Sequence, residues 1–444
     1  MKTRISISFA LCLLAGRLFG QAAPSTTEVS STATPVGANA PRLSWVDGTV
    51  HYAVSGAELI QYGYYGPGNV TSTTSLSGIL GYSSMSQVHP TDVLVSVGVL
   101  FGQGGQGTST YENAAVSQSY IRGKWIFNAS DSFSYLPQSP VTGVAGVPGI
   151  DAPGTSPIDG PGQGPAGGIL TFSGNRISNM LTGTVERKLT GRTSISGSGS
   201  WLLLHFIDRE AGLDNTSTSG QVALNHILDP RDTVSLGFVY STFNATNLAG
   251  LFPAGFPLDE VTYQTKGVNV SFSRQWTRAF STSVAGGPMW IQSSANPLIP
   301  NRLNFSLNGT ATYVRRQTTF GGSYLHGING GSGVQPGAIS DSVTGLALHT
   351  FNEKWQASAS MVYSHSSGLT SLVPGGVTGA TNTEYGTLQV TRGFTRTLSG
   401  YASYTAQNQD LSQGFITSNA FSGISHVVGI GITWTPQATR VGEF

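Results

Sequence analysis

Apolar and small polar residues alternate with a period of two along most of this chain, which predicts an all-β protein. The turns between the alternating runs differ by end. One set is tight and carries basic residues; the other grows long. Together these observations predict a transmembrane antiparallel β-barrel of about 18 strands, or alternatively 16, with short periplasmic turns and long extracellular loops. Composition agrees. Charged residues make up 10% of the chain, against roughly 25% in typical soluble domains, and Gly is abundant at 59 residues. No apolar run after the N-terminus reaches the length of a membrane helix.

Residues 1–22 read as a secretory signal peptide. Lys2 and Arg4 supply the charged region, Ile5 to Gly16 the short apolar run, and Gly20 and Ala22 the small residues near a cleavage site. Cys12 is the single cysteine and lies within this segment, so the mature chain offers neither disulfides nor thiolate chemistry. Residues 23–48 are Ser/Thr/Pro-rich and read as a disordered periplasmic segment. The barrel is expected over 49–435, followed by a tail at 436–444.

The first strand is expected over about Thr49 to Tyr62, although it contains Glu58. Later strands alternate more cleanly. Val93, Val95, Val97, Val99 and Phe101 share a face. So do Val234, Leu236, Phe238 and Tyr240, with Thr233, Ser235, Gly237 and Ser241 opposite. Trp355, Ala357, Ala359, Met361 and Tyr363 alternate with Gln356, Ser358, Ser360 and Ser364. In a barrel the apolar set faces lipid and the small polar set faces the lumen. A ten-residue strand rises about 33 Å, and a tilt of about 40° lets it cover an apolar band of roughly 25 Å.

Tight turns fall near residues 90, 122, 190, 230, 277, 315, 353 and 395. Five read nearly alike: Lys188-Leu189-Thr190-Gly191-Arg192, Leu228-Asp229-Pro230-Arg231, Trp276-Thr277-Arg278, Phe351-Asn352-Glu353-Lys354 and Phe394-Thr395-Arg396. An apolar residue ends one strand, polar residues turn, and a basic residue follows. Aromatics gather toward both ends. Trp125, Trp276, Trp355 and Trp434 lie beside tight turns and are expected to form one interfacial girdle. Tyr135, Phe206, Tyr240, Tyr263, Trp290, Tyr363 and Tyr385 lie near the long-loop ends and are expected to form the other.

The last strand places Val428, Ile430, Ile432 and Trp434 on one apolar face. It resembles the C-terminal assembly strand of bacterial outer-membrane β-barrel proteins, except that ten residues follow its final aromatic. The resemblance implies partners in outer-membrane lipid, lipopolysaccharide and the barrel-assembly machinery. The Gly/Pro-rich stretch 136–176 is the third long loop, and its position resembles the pore-narrowing loop of general porins. Asp151 and Asp159 are its candidate constriction residues, although the porins' acidic constriction motif is not present.

Little suggests catalysis or a cofactor. Gly102-x-Gly104-x-x-Gly107 follows an outward strand and opens no helix, so it is read as a loop. His205, His226, His326, His349 and His365 form no set with metal-ligand spacing. The expected lumen face is Ser, Thr, Gly, Asn and Gln. Asp131, Glu112, Lys266 and Glu384 are its charged candidates, nearer the loop ends. The chain is therefore expected to be no enzyme, with no cofactor or metal, but an outer-membrane, porin-like channel for weakly selective, passive passage of small polar solutes. The alternative is a structural or secretion-associated barrel, for instance in exopolysaccharide export. Nothing in the sequence suggests nucleic-acid binding.

Overall fold

The computed structural model describes residues 48–64, 68–86, 88–102, 107–136, 175–207, 212–248, 260–293, 299, 301–329, 335–369, 379–412 and 421–441. They form a closed, antiparallel, 18-stranded β-barrel. The strands run from β1 (Gly48–Tyr62), β2 (Val70–Ser84) and β3 (Thr91–Phe101) through β4 (Thr108–Arg122), β5 (Trp125–Leu136) and β6 (Arg176–Lys188). The ring continues with β7 (Thr193–Phe206), β8 (Asp214–Asp229), β9 (Asp232–Thr246), β10 (Glu260–Gln275), β11 (Phe280–Ser293) and β12 (Arg302–Arg315). It ends with β13 (Thr318–Asn329), β14 (Ala338–Thr350), β15 (Trp355–Gly368), β16 (Ala380–Gly393), β17 (Leu398–Leu411) and β18 (Gly423–Trp434). Each strand pairs with its sequence neighbours, and β1 closes the ring on β18 from Val54↔Trp434 to Tyr62↔His426. Closure leaves no exposed sheet edge along the spanning length. It also decides the count at 18 rather than 16, because β1 pairs along its length with β2.

The stretch expected as a tail contributes a short β19 (Thr439–Val441). It pairs with Gly48–Val50, within the stretch of β1 that β18 does not reach. Trp434 packs edge-on against Tyr52, with ring centroids 5.9 Å apart. The seam is thus closed by β18, by a ring contact and by β19.

Five tight turns share one device. The side-chain oxygen that follows the apolar residue accepts from the backbone N–H groups two and three positions on. Thr190 accepts from Arg192 and Thr193, Asp229 from Arg231 and Asp232, and Thr277 from Ala279 and Phe280. Asn352 accepts from Lys354 and Trp355, and Thr395 from Thr397 and Leu398. These Asx- and Ser/Thr-type turns explain why the sequence repeats Thr, Asp or Asn there. The β4–β5 turn uses Gly123 at φ +61°, a conformation that glycine adopts without a Cβ penalty.

Polarity is inverted relative to a soluble protein. Val97, Val222, Leu236, Val270, Met361 and Ile430 are exposed on the outer face, while hydroxyl and amide side chains such as Ser55, Ser96, Ser235, Thr387 and Gln407 are buried on the inner one. Residues paired across an antiparallel ladder share a face, so the register carries this sorting from strand to strand. Glu58 lies on the outer face of β1 and accepts from the hydroxyls of Ser72 and Thr74 on β2.

Candidate functional site

The inner wall is a lattice of short polar side chains joined across strands. Ser130 bonds to Thr182, Ser134 to Ser178 and Ser200 to Ser219. Asn128 donates to Thr184 at 3.0 Å, Asn113 to Ser96 at 3.3 Å, and Thr387 shares a 2.9 Å bond with Thr405. On the described inner face the charged side chains sit near the rims. Asp92, Glu186 and Lys188 lie at the tight-turn end, and Arg176 and Arg302 at the loop end. The middle of the wall is neutral. It can exchange hydrogen bonds with a passing solute but presents no ring of one sign.

Two apolar patches flank the loop end of the lumen. Ala245, Val261, Tyr263 and Ile291 on β9–β11 gather Leu213, Leu248, Ile299 and Leu369 from outside the strands. The Tyr263 hydroxyl donates to the Asn329 carbonyl at 2.5 Å. Gly337 approaches the same ring so closely that a Cβ would lie 2.7 Å from the Tyr263 hydroxyl oxygen. The Leu369 N–H donates to Gly337 at 2.8 Å, and the Gln335 amide donates to Gly379 at 2.9 Å. The second patch, Leu59, Leu100, Tyr111 and Val427, lies on β1, β3, β4 and β18. β1 and β10 stand half-way round the ring from one another, so the patches face each other.

Several residues point the other way from expectation. Asp131, Glu112, Lys266 and Glu384 lie on the outer wall, not in the lumen. Asp131 pairs with Leu181, Glu112 with Val97, Lys266 with Tyr240 and Trp290, and Glu384 with Tyr363. Asp131 accepts from the Asn179 amide at 3.0 Å. Conversely, Phe206, Tyr263 and Tyr385 turn inward and are buried, whereas Tyr135, Tyr240, Trp290 and Tyr363 remain outside. The outer face needs to be apolar only across the bilayer core. Near a strand's ends residue type therefore ceases to report the face, and register decides it.

Trp125, Trp276, Trp355 and Trp434 lie on the outer wall at the tight-turn end. Three carry an arginine over the ring: Arg187 at 5.1 Å from Trp125, Arg274 at 4.5 Å from Trp276 and Arg392 at 5.1 Å from Trp355. Val428, Ile430, Ile432 and Trp434 form the outer face of β18. Asp151 and Asp159 fall outside the described residues, as do the signal segment and most of 136–176.

Five of the strand histidines, scattered in sequence, are ordered in space. His205, His226, His326, His349 and His365 lie on the outer wall, each with Nδ1 held by its cross-strand neighbour. At the tight-turn end His226 meets Thr193 at 2.9 Å and His349 meets Thr318 at 2.7 Å. At the loop end His205 meets Asp214, His326 meets Asp341 and His365 meets Asn382, at 2.9, 2.8 and 2.7 Å. Tyr324 also donates to Asp341 at 2.8 Å. The order comes from the strand register, which no spacing within a single segment shows. Among the described residues no group of three His, Cys, Asp or Glu side chains is placed to hold a metal ion.

No protein-family profile and no curated protein sequence matches the chain. Solved structures similar to it include Acinetobacter baumannii OccAB4, at 11% identity and TM-score 0.42, covering 90% of this chain and 100% of that one. Pseudomonas aeruginosa OccK2 (OpdF), solved in complex with glucuronate, is similar at 10% identity and TM-score 0.44, covering 88% and 98%. The P. aeruginosa outer-membrane protein OpdK is similar at 10% identity and TM-score 0.45, covering 89% and 100%. Likeness at this level carries no functional weight, so function is read from the barrel's own geometry.

Proposed function

We propose that this chain is a porin-like outer-membrane channel through which small polar, mainly uncharged solutes diffuse passively. One observation carries the reading: an apolar outer wall encloses an inner wall of hydroxyl and amide groups which, among the described residues, has no charge in its middle section. A closed barrel satisfies its backbone in lipid, and its inverted polarity suits lipid outside and water inside. The tight-turn end, with its tryptophans and arginines, then lies at the periplasmic interface, and the loop end faces outward. Residues 1–22 direct export and are removed, and assembly uses the β18 strand ending in Trp434. Lipid, lipopolysaccharide and the assembly machinery are the macromolecular partners.

Single-channel recording of the refolded mature chain in planar bilayers tests this. The expected result is ohmic conductance with nearly equal anion and cation permeability. A barrel that inserts without conducting would instead support a structural or secretion-associated role, consistent with the apolar patches at its loop end. Deleting residues 141–168 tests the constriction assigned to Asp151 and Asp159. Unchanged conductance after normal insertion removes it.

A further inference from the structure

The outer wall of β4–β9 carries a groove of about 780 Å³. Its floor is one register row that starts at Gln118 on β4 and runs, from β5 on, as Ala129↔Gly183↔Gly199↔Gly220, continuing through Tyr240 to Lys266 on β10. Its bank toward the tight-turn end is the next outer row, Phe127, Val185, Gly197, Val222 and Phe238, lowest at Gly197. From Ala129 to Lys266 the floor row crosses five strand spacings, about 24 Å. Because strands of such barrels tilt about 40°, it climbs roughly 15 Å toward the loop end.

The charge at the upper end is distinctive. Among the described residues Lys266 is the only Lys or Arg on the outer wall in the loop half of the strands. Arg176 and Arg302, the other two near that end, pair with the buried Phe206 and Ile291 and lie inside. Lys266 stands between the outward rings of Tyr240 and Trp290, and its ammonium donates to Gln292 at 2.9 Å. The register row under this apolar groove thus continues, past Tyr240, to a cation on the loop side of the outer wall.

We propose that this surface binds a phosphorylated, acylated glycolipid of the outer leaflet, with an acyl chain in the groove and a phosphate on Lys266. Charge complementarity selects an anionic headgroup. The loop-end position selects the outer leaflet, a step that rests on the membrane orientation proposed above. Tyr240, with Thr242 donating to its hydroxyl, and Gln292 stand beside Lys266 on the outer wall, and their polar groups lie at the level assigned to the sugar.

Groove-filling variants have room to fold. A Cβ on Gly183 meets nothing within 4 Å, and one on Gly199 meets only the Ser219 carbonyl at 3.7 Å. Gly309 on the outer wall of β12 is equally open and serves as a control. The test is native mass spectrometry of the detergent-solubilised mature protein, titrated separately with lipid A and with phosphatidylglycerol. The parent is expected to retain lipid A preferentially. Lys266→Gln should weaken retention about tenfold, the scale of one lost charged contact. Gly199→Leu should weaken it by a similar factor by filling the space of the acyl chain, while Gly309→Leu matches the parent. Parent-like retention in Lys266→Gln and Gly199→Leu, or an equal loss in Gly309→Leu, overturns the site. Equal retention of phosphatidylglycerol overturns the glycolipid assignment. Loss of an oligomer rather than of lipid in Gly199→Leu assigns the groove to a second copy of the chain and also overturns it. Recovery of the parent in a fraction other than the outer membrane defeats the proposed localisation alone, because binding in detergent is read independently.

Discussion

Val270→Arg tests the assignment of faces on which the channel reading depends. Val270 is 53% exposed on the outer wall of β10, between Val268 and Phe272. Two cationic side chains share its face, Lys266 four residues toward the loop end and Arg274 four residues toward the tight turn. Each is about 13 Å away along the strand, or about 10 Å along the membrane normal at a tilt of about 40°. Arg274 meets its needs by stacking on Trp276 and pairing with Asp232 at 3.4 Å. An arginine at 270 finds neither and is too deep to snorkel fully to an interface. The expected cost is about 2–4 kcal/mol, the scale for Arg at the midplane of an outer-membrane barrel. The neighbouring inward substitution Asn269→Arg should stay within about 0.5 kcal/mol of the parent but shift permeability toward anions. Equilibrium urea unfolding in lipid vesicles reads the stabilities, and reversal potentials in a salt gradient read the selectivity. Equal stability of Val270→Arg and the parent, or a larger loss in Asn269→Arg, would falsify the assignment of faces.

Trp434→Asp should reduce heat-modifiable barrel more than deletion of Phe444, because Trp434 packs on Tyr52 at the seam; a greater loss on deleting Phe444 shifts the assembly signal to the last residue. Asn352→Ala and Thr395→Ala each remove the acceptor for two turn N–H groups. Each should cost about 1 kcal/mol, and no shift in the urea midpoint would remove the turn device from the account of stability. Gly337→Val forces the Tyr263 ring from its place in the apolar cluster. Single-channel conductance should change while insertion persists, and parent-like conductance would show that this cluster does not limit flow.

Much of the barrel was legible because its signals are local. Alternation at Val234–Tyr240 and Trp355–Tyr363 identifies the lipid face within a few residues, since successive side chains of a strand leave on opposite sides. The repeated Thr, Asp or Asn after an apolar strand end marks the tight turns, since each supplies its own acceptor to the next N–H groups. The neutral lumen was legible for the same reason: Ser, Thr, Asn and Gln fill the positions between the lipid-facing residues.

What only the tertiary structure decided depends on partners distant in sequence. Closure of β1 on β18 settles the strand count, and β19 completes the seam far from Gly48 in the chain. Lys266, Glu112 and Glu384 face outward, and Phe206, Tyr263 and Tyr385 face inward, because near a rim polarity no longer separates the faces and register alone does. Asp131 also faces outward, at mid-strand in β5, with the Asn179 amide on its carboxylate. The apolar patches and the histidine pairs join side chains from strands whose adjacency is not written in any single segment. The row Ala129–Gly183–Gly199–Gly220–Tyr240–Lys266 is the clearest case. Its six residues are spread over the chain, and only the hydrogen-bonded register of six strands places them on one line.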